Sequence, residues 1–226
     1  MTIRFDGATE DARWLNPPAQ MRALGRRETG AAAAPGSAAA SGSGVASSSG
    51  VAPGSGVEVT TQEKTDFWQR THYGFRADNG HFLSVPTHGD FTLTARVVYE
   101  PTHQYEQAGL MVRYDQENWI KTSVEAETDA PFRLGAVVTR AGYSDWSTQS
   151  IEAVPVDRWF RLERDGDDYT VLTRCDRDQW EQLRIAHLAP PAPDALLNVG
   201  VYCASPLSTG LVVHFFNVAI SVSGAS

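Results

Sequence analysis

The sequence predicts an all-β protein, a two-sheet antiparallel β-sandwich or jelly roll, and three observations carry that prediction. After Val57 the chain is a succession of about ten short runs in which apolar and polar residues alternate, the period of a half-buried strand. Turn residues separate the runs, and Asp115-Gln116-Glu117-Asn118 and Asp165-Gly166-Asp167 read as hairpin connections between strands of opposite direction. No long helical periodicity occurs anywhere. Short strands at regular spacing, joined by tight turns, stack as two antiparallel sheets rather than opening into a parallel one.

Taken in order, residues 14–23 supply a first strand or strand end. Residues 30–56 are all Ala, Gly, Ser or Pro except Val45 and Val51, and none is charged. Such a tract cannot bury enough surface to offset the entropy of ordering it, so a flexible linker or loop is expected there. A strand follows at 80–85. In 91–97, Phe91, Leu93, Ala95 and Val97 share one face while Thr92, Thr94 and Arg96 share the other. Further strands are predicted at 108–114, 119–125, 133–140, 159–164, 169–174, 182–187, 198–204 and 212–222.

Composition narrows the function. The 226 residues are 42% hydrophobic and 10% aromatic, enough for one sizeable core. Lys and Arg number 19 against 27 Asp and Glu, a formal net charge of −8, which disfavours nucleic acid and anionic membranes as partners. No run of about 18 apolar residues predicts a membrane-spanning helix. Residues 1–14 lack the apolar stretch and cleavage site of a secretory signal, so a cytoplasmic location is expected. Cys175 and Cys203 are too few for a disulfide scaffold or a four-thiolate zinc site, and are expected to be reduced and buried.

Two adjacent strands carry the first candidate site. In 107–113, Ala108, Leu110 and Val112 form the natural core face and leave Gln107, Met111 and Arg113 outside. In 119–125, Ile120 and Val124 point inward and leave Trp119, Lys121, Ser123 and Glu125 outside on the same sheet. A shallow groove holding an aromatic ring, cations, an amide and a carboxylate suits a sugar, which offers an apolar ring face and hydroxyls. The competing interpretation is plain cross-strand charge balance on a wet sheet.

Other segments add candidates. Thr71-His72-Tyr73-Gly74-Phe75 and Asn79-Gly80-His81-Phe82 cluster aromatic and imidazole groups around two glycines, as a binding loop or as packed aromatics with bonded imidazoles. No third ligand stands at zinc-site spacing, so neither metal nor cofactor is expected. Residues 139–147 read as a ligand-carrying loop holding Tyr143 and Trp146 beside Arg140, Ser144 and Asp145, or as a strand connection whose Trp plugs the edge of the core. Residues 176–180 read as an ordinary turn followed by a packed Trp180. Glu125, Glu127 and Asp129 alternate and would share one strand face. Glycoside hydrolysis needs two carboxylates about 5–5.5 Å or about 6.5–9.5 Å apart, so Glu125 with a second carboxylate is the catalytic candidate, against plain clustering of acidic residues in a loop near Thr128 and Pro131. No nucleophile elbow, phosphate loop, dinucleotide fingerprint or Cys-x-x-Cys pair is present.

Four segments, 65–75, 107–113, 117–121 and 138–147, together resemble the regulation-of-enolase protein family, domain of unknown function 1349, which is similar to concanavalin A-like lectins and glucanases. The resemblance spans most of 57–221 and implies a concanavalin A-like sandwich. It also makes Trp14-Leu15-Asn16-Pro17 the opening of the domain and 57–61 the strand after it. One domain over 1–226 is then expected, with core 12–24 plus 57–222 and an insertion at 30–56. The acidic strand pattern of the glucanases, with Asp in the middle, is not reproduced, because Glu127 stands there.

The reading that results is a β-sandwich binding a carbohydrate or related small metabolite, with Trp119, Tyr143 and Trp146 stacking on it. Gln107, Arg113, Lys121, Glu125 and Asp145 hydrogen-bond it, and His72 and Tyr73 line one end. A regulatory module acting on a glycolytic protein such as enolase is the alternative the resemblance implies, and a glycoside hydrolase using Glu125 is the third.

Overall fold

The computed structural model describes residues 2–4, 11–25, 55–175 and 178–222. Its strands are β1 (Thr2–Arg4), β2 (Arg13–Leu15), β3 (Gln20–Leu24), β4 (Gly56–Thr60), β5 (Phe67–Gln69), β6 (Arg76–Asp78), β7 (His81–Thr87), β8 (Phe91–Tyr99) and β9 (Gln107–Asp115). They continue as β10 (Asn118–Glu125), β11 (Phe132–Arg140), β12 (Tyr143–Ile151), β13 (Val156–Asp165), β14 (Asp168–Arg174), β15 (Glu181–His187), β16 (Leu197–Ala204) and β17 (Val212–Val222). One antiparallel sheet runs β15-β14-β13-β8-β17-β4-β3, with β1 also on β17, and the second runs β12-β11-β10-β9-β16-β7-β2. The architecture is the predicted all-β two-sheet sandwich.

Alternation sets the core. From β8, Phe91, Leu93, Ala95, Val97 and Tyr99 point inward and meet Leu110, Val112, Ile120, Val124, Val199 and Val201 of the facing sheet, all buried. The predicted hairpins form with Gln116-Glu117 and Gly166-Asp167 as their two-residue connections.

Three expectations are corrected. Residues 14–23 are not one strand: β2 pairs with β7 in one sheet and β3 with β4 in the other. The chain changes sheets at Asn16-Pro17-Pro18, where prolines cannot continue a ladder and Asn16 takes a positive φ of 56°. Residues 139–147 are not a loop but the β11–β12 hairpin, closed by Ala141-Gly142 with both residues at positive φ, the type I′ pattern. Cys175 is exposed rather than buried; Cys203 is buried, and both are free. Trp180 packs under two guanidinium groups, with Arg161 4.1 Å and Arg174 4.7 Å from its ring centre, while residues 176 and 177 lie outside the described residues.

The insertion expected at 30–56 lies outside the described residues apart from Ser55 and Gly56. Its flanks are paired: β3 and β4 run antiparallel, with Leu24 opposite Gly56. Loop closure costs change slowly with length, so joining residues 27 and 54 by a short glycine-containing turn is expected to keep the melting temperature or raise it by up to about 5 °C. A differential scanning measurement showing a fall of that size would mean that the tract packs on the sandwich.

A third, two-stranded sheet, β5-β6, lies over the outer face of β9, β10 and β11. It decides what that face can do. Phe67, Trp68, Phe82, Met111, Trp119, Val137 and Tyr202 form a second apolar cluster beneath it, so β9 and β10 are buried on both faces.

Candidate functional site

The flap made by β5, β6 and their connection is held on the sheet by charge and by hydrogen bonds. Arg113 of β9 clamps Asp78 of β6 with two parallel bonds of 2.7 and 2.9 Å. Burial raises the Asp78 carboxyl pKa and the Arg113 guanidinium opposes the rise. Lys121 of β10, only 3% exposed, donates to the Phe67 carbonyl at 2.8 Å, to Gln107 Oε1 at 2.9 Å and to Asp66 Oδ1 at 3.3 Å. The Gln69 backbone N–H donates to Ser144 Oγ at 2.9 Å, and Arg70 pairs with Glu117 at 3.0 Å. At the flap's base, a Cβ on Gly80 would meet the Phe67 ring at 2.4 Å, so only glycine lets the chain pass there.

Between flap and sheet opens a cavity of about 420 Å³. Trp68, Tyr73, Phe75, Tyr105 and Trp146 supply aromatic wall, Leu207 and Pro206 close one side, and Asp66, Gln107, Lys121, Glu125 and Glu127 supply the polar surface, with Lys64 exposed at the margin. Trp68 meets Trp146 edge-on at 6.3 Å and Tyr73 at 5.5 Å, and its indole N–H donates to the Thr71 carbonyl at 3.0 Å. Gln107 is fixed from both ends: its amide donates to Glu125 Oε2 at 2.8 Å and to the Tyr105 carbonyl at 3.1 Å, while its oxygen accepts from Lys121 and from the Tyr202 hydroxyl at 3.2 Å. Burial pushes the Glu125 carboxyl up to about 8 against the pull of Lys121, with Asp66 and Glu127 adding to the rise. At neutral pH it is therefore largely protonated.

Of the ten candidate residues, Tyr73, Gln107, Lys121, Glu125 and Trp146 meet at this cavity, and the other five do not. Gln107, Lys121 and Glu125 share a face as expected, but the face is covered by the flap rather than being a shallow wet groove. Trp119 is fully buried in the second apolar cluster, edge-on to Phe67 at 6.3 Å, with its indole N–H on the Gln116 carbonyl. It cannot stack on a ligand. Arg113 is consumed by Asp78. His72 sits exposed at the flap's tip at a φ of 62°, its ring against Tyr73. Tyr143 and Asp145 fail for one reason: on strand β12 they lie on the face opposite Trp146 and Ser144. Tyr143 takes the Arg70 guanidinium 5.3 Å from its ring centre, and Asp145 pairs with Arg184 at 2.9 Å.

The three alternating carboxylates also separate. β10 ends at Glu125, so Glu125 and Glu127 reach the cavity while Asp129, at a φ of 55°, does not. His81 is structural: its Nε2 accepts from the Gln62 backbone N–H, its Nδ1 bonds the Asn16 backbone carbonyl, and burial lowers its pKa. Among the described residues no three His, Cys, Asp or Glu side chains are grouped to hold a metal ion. Asp66, Trp68 and Phe75 stand in the flap segment, where the sequence gives them no distinct role, whereas Tyr105 and Leu207 lie in connections with no local signal.

Comparison with known proteins places this architecture. The sequence profile of the protein family of unknown function DUF1349 matches residues 47–222. "Regulation of enolase protein 1" of Saccharomyces cerevisiae is 38% identical over 157 residues, 70% of this chain and 77% of that protein. A solved structure of a functionally unknown protein from Saccharomyces cerevisiae is 30% identical and superposes with a TM-score of 0.73 over 95% of this chain and 98% of that one. Bacteroides ovatus Xyloglucan PUL GH43B shares the fold alone, at 14% identity and a TM-score of 0.57 over 74% of this chain and 33% of that one. On the profile match and the identity to the yeast protein, the chain belongs to the DUF1349 family.

Proposed function

We propose that this protein binds a carbohydrate or related small metabolite in the flap-covered cavity, without catalysis, in the cytoplasm. One observation carries the reading: aromatic rings wall a cavity of about 420 Å³ whose polar groups are already locked in position by one another. Rings cover the apolar face of a sugar, the carboxyl groups of Glu125 and Glu127 meet its hydroxyls, and a site held rigid loses little entropy on binding. The two free cysteines fit a reducing compartment.

Calorimetric titration with a panel of neutral and amino mono- and disaccharides tests it. Trp146→Ala is expected to weaken binding at least about tenfold, a loss of roughly 1.4 kcal/mol. Trp146 is only partly buried on an edge strand, so the variant should fold like the wild type. Absence of binding across the panel, or equal affinity for the variant, would defeat the proposal.

A second reading rests on the yeast relative's name: a regulatory module that acts on a glycolytic enzyme such as enolase. Its test is direct. Purified enolase is assayed with and without this protein, and a change in rate together with co-elution on gel filtration is the expected result; separate elution at an unchanged rate would dismiss it.

A further inference from the structure

The hydrogen-bonding balance of the cavity is uneven, and it selects among ligands. Its deep nitrogen donors are spent within the protein. All three Lys121 N–H groups are directed at protein acceptors: Asp66, the Phe67 carbonyl and Gln107. Both amide protons of Gln107 go to Tyr105 and Glu125, and the Trp68 indole proton goes to Thr71. Beside the proton of the neutral Glu125 carboxyl, the donors that remain belong to the more exposed margin: Lys64, the Trp146 indole and the hydroxyls of Tyr73 and Tyr105.

Acceptors remain available. Gln107 occupies one Glu125 oxygen; the other makes no hydrogen bond among the described residues, and it becomes an acceptor once the proton of the neutral carboxyl leaves. Glu127 takes Gln104 at 3.0 Å on one oxygen and only a distant Arg133 contact of 3.9 Å on the other. A neutral sugar hydroxyl accepts the Glu125 proton or donates one bond, and leaves that carboxyl neutral. An ammonium group donates three times, accepts nothing, and is attracted to the faces of surrounding aromatic rings.

We infer that the ligand of this cavity carries a protonated amine, as an amino sugar or aminated polyol does, seated against Glu125 and Glu127 within the aromatic wall. This rests on the cavity being a ligand site. The ammonium would also change the state of Glu125. Burial holds that carboxyl up to about 8, and a cation beside it favours the ionised form. Amine binding below that pH therefore drives the Glu125 proton into the buffer, whereas binding of a neutral sugar does not.

The experiment is calorimetric titration of the full chain at pH 6.5 with D-glucosamine, N-acetyl-D-glucosamine and D-glucose, each in two buffers of different ionisation heat. The expected result is glucosamine binding at least about tenfold tighter than the other two, with a heat that changes with buffer in the sense of proton release. Glu125→Gln and Glu127→Gln should each move the glucosamine-to-glucose affinity ratio towards one. The amide oxygen that Glu125→Gln introduces can still accept from Gln107, and Glu127→Gln provides an independent variant should the first misfold. Glucose or N-acetylglucosamine binding as tightly as glucosamine would overturn the amine assignment while leaving the cavity a carbohydrate site. Silence from all three sugars and from the wider panel would overturn both.

Discussion

Trp119→Ala is expected to cost about 3–5 kcal/mol of folding stability, the range for removing a large buried aromatic side chain, and to lower the melting temperature by roughly 10 °C. The indole is fully enclosed between the main sheet and the flap, edge-on to Phe67, with the Lys121 ammonium 5.7 Å from its ring centre. Its loss leaves a void that the flap, held at several points, cannot collapse to fill. Urea unfolding with an unchanged slope and a lower midpoint is the signature. Trp146→Ala should show the reverse pattern, weakened binding with stability nearly intact. A Trp119→Ala protein of wild-type stability would mean that the flap does not cover this face.

Lys121→Met should cost about 3 kcal/mol, because the thioether replaces the stem of the lysine and leaves its acceptors behind. The Phe67 carbonyl and Gln107 Oε1 lose a donor, Asp66 loses its cation, and the Tyr202 hydroxyl alone continues to serve Gln107. Asp66 is partly solvated, which keeps the penalty near the lower end of the range for a broken buried ion pair. The damage should be local as well as global. Amide hydrogen exchange at residues 67–69 should accelerate more than at β8, because the flap loses one of its main anchors. Losing Lys121 also removes the main charge that pulls the Glu125 pKa down, so that carboxyl should rise further. A stability change under about 1 kcal/mol would contradict the anchoring role.

The two-sheet sandwich is legible in the sequence because alternation is a local property and the strands obey it, as β8 shows residue by residue. The site is half legible, for a definable reason. Period-two arithmetic places Gln107, Lys121 and Glu125 on one face, and it assigns that face to solvent because nothing in 107–125 reports a covering layer. The cover comes from β5 and β6, about 30 to 60 residues away in sequence, each only three residues long and too short to reveal a period. The same layer turns Trp119 from a binding platform into core and Arg113 from a ligand contact into a clamp. Three residues of separation make Tyr143 and Trp146 look like members of one loop. On strand β12 that odd spacing puts them on opposite faces, and the Ala141-Gly142 turn that starts the strand shows in the structure as two positive φ values. Tyr105 and Leu207 depend on where two connections end in space, which no local pattern encodes.

The central claim is that ligand enters between the flap and the sheet, and the six tryptophans give a direct readout. In an NMR titration with the sugar panel, the indole N–H signals of Trp68 and Trp146 should shift together and saturate with the calorimetric affinity. Those of Trp119, buried below the polar floor, of Trp159 on the other sheet and of Trp180 just before β15 should shift far less. Saturable shifts confined to Trp159 and Trp180, or no shift at any indole while the sugar binds, would contradict the account.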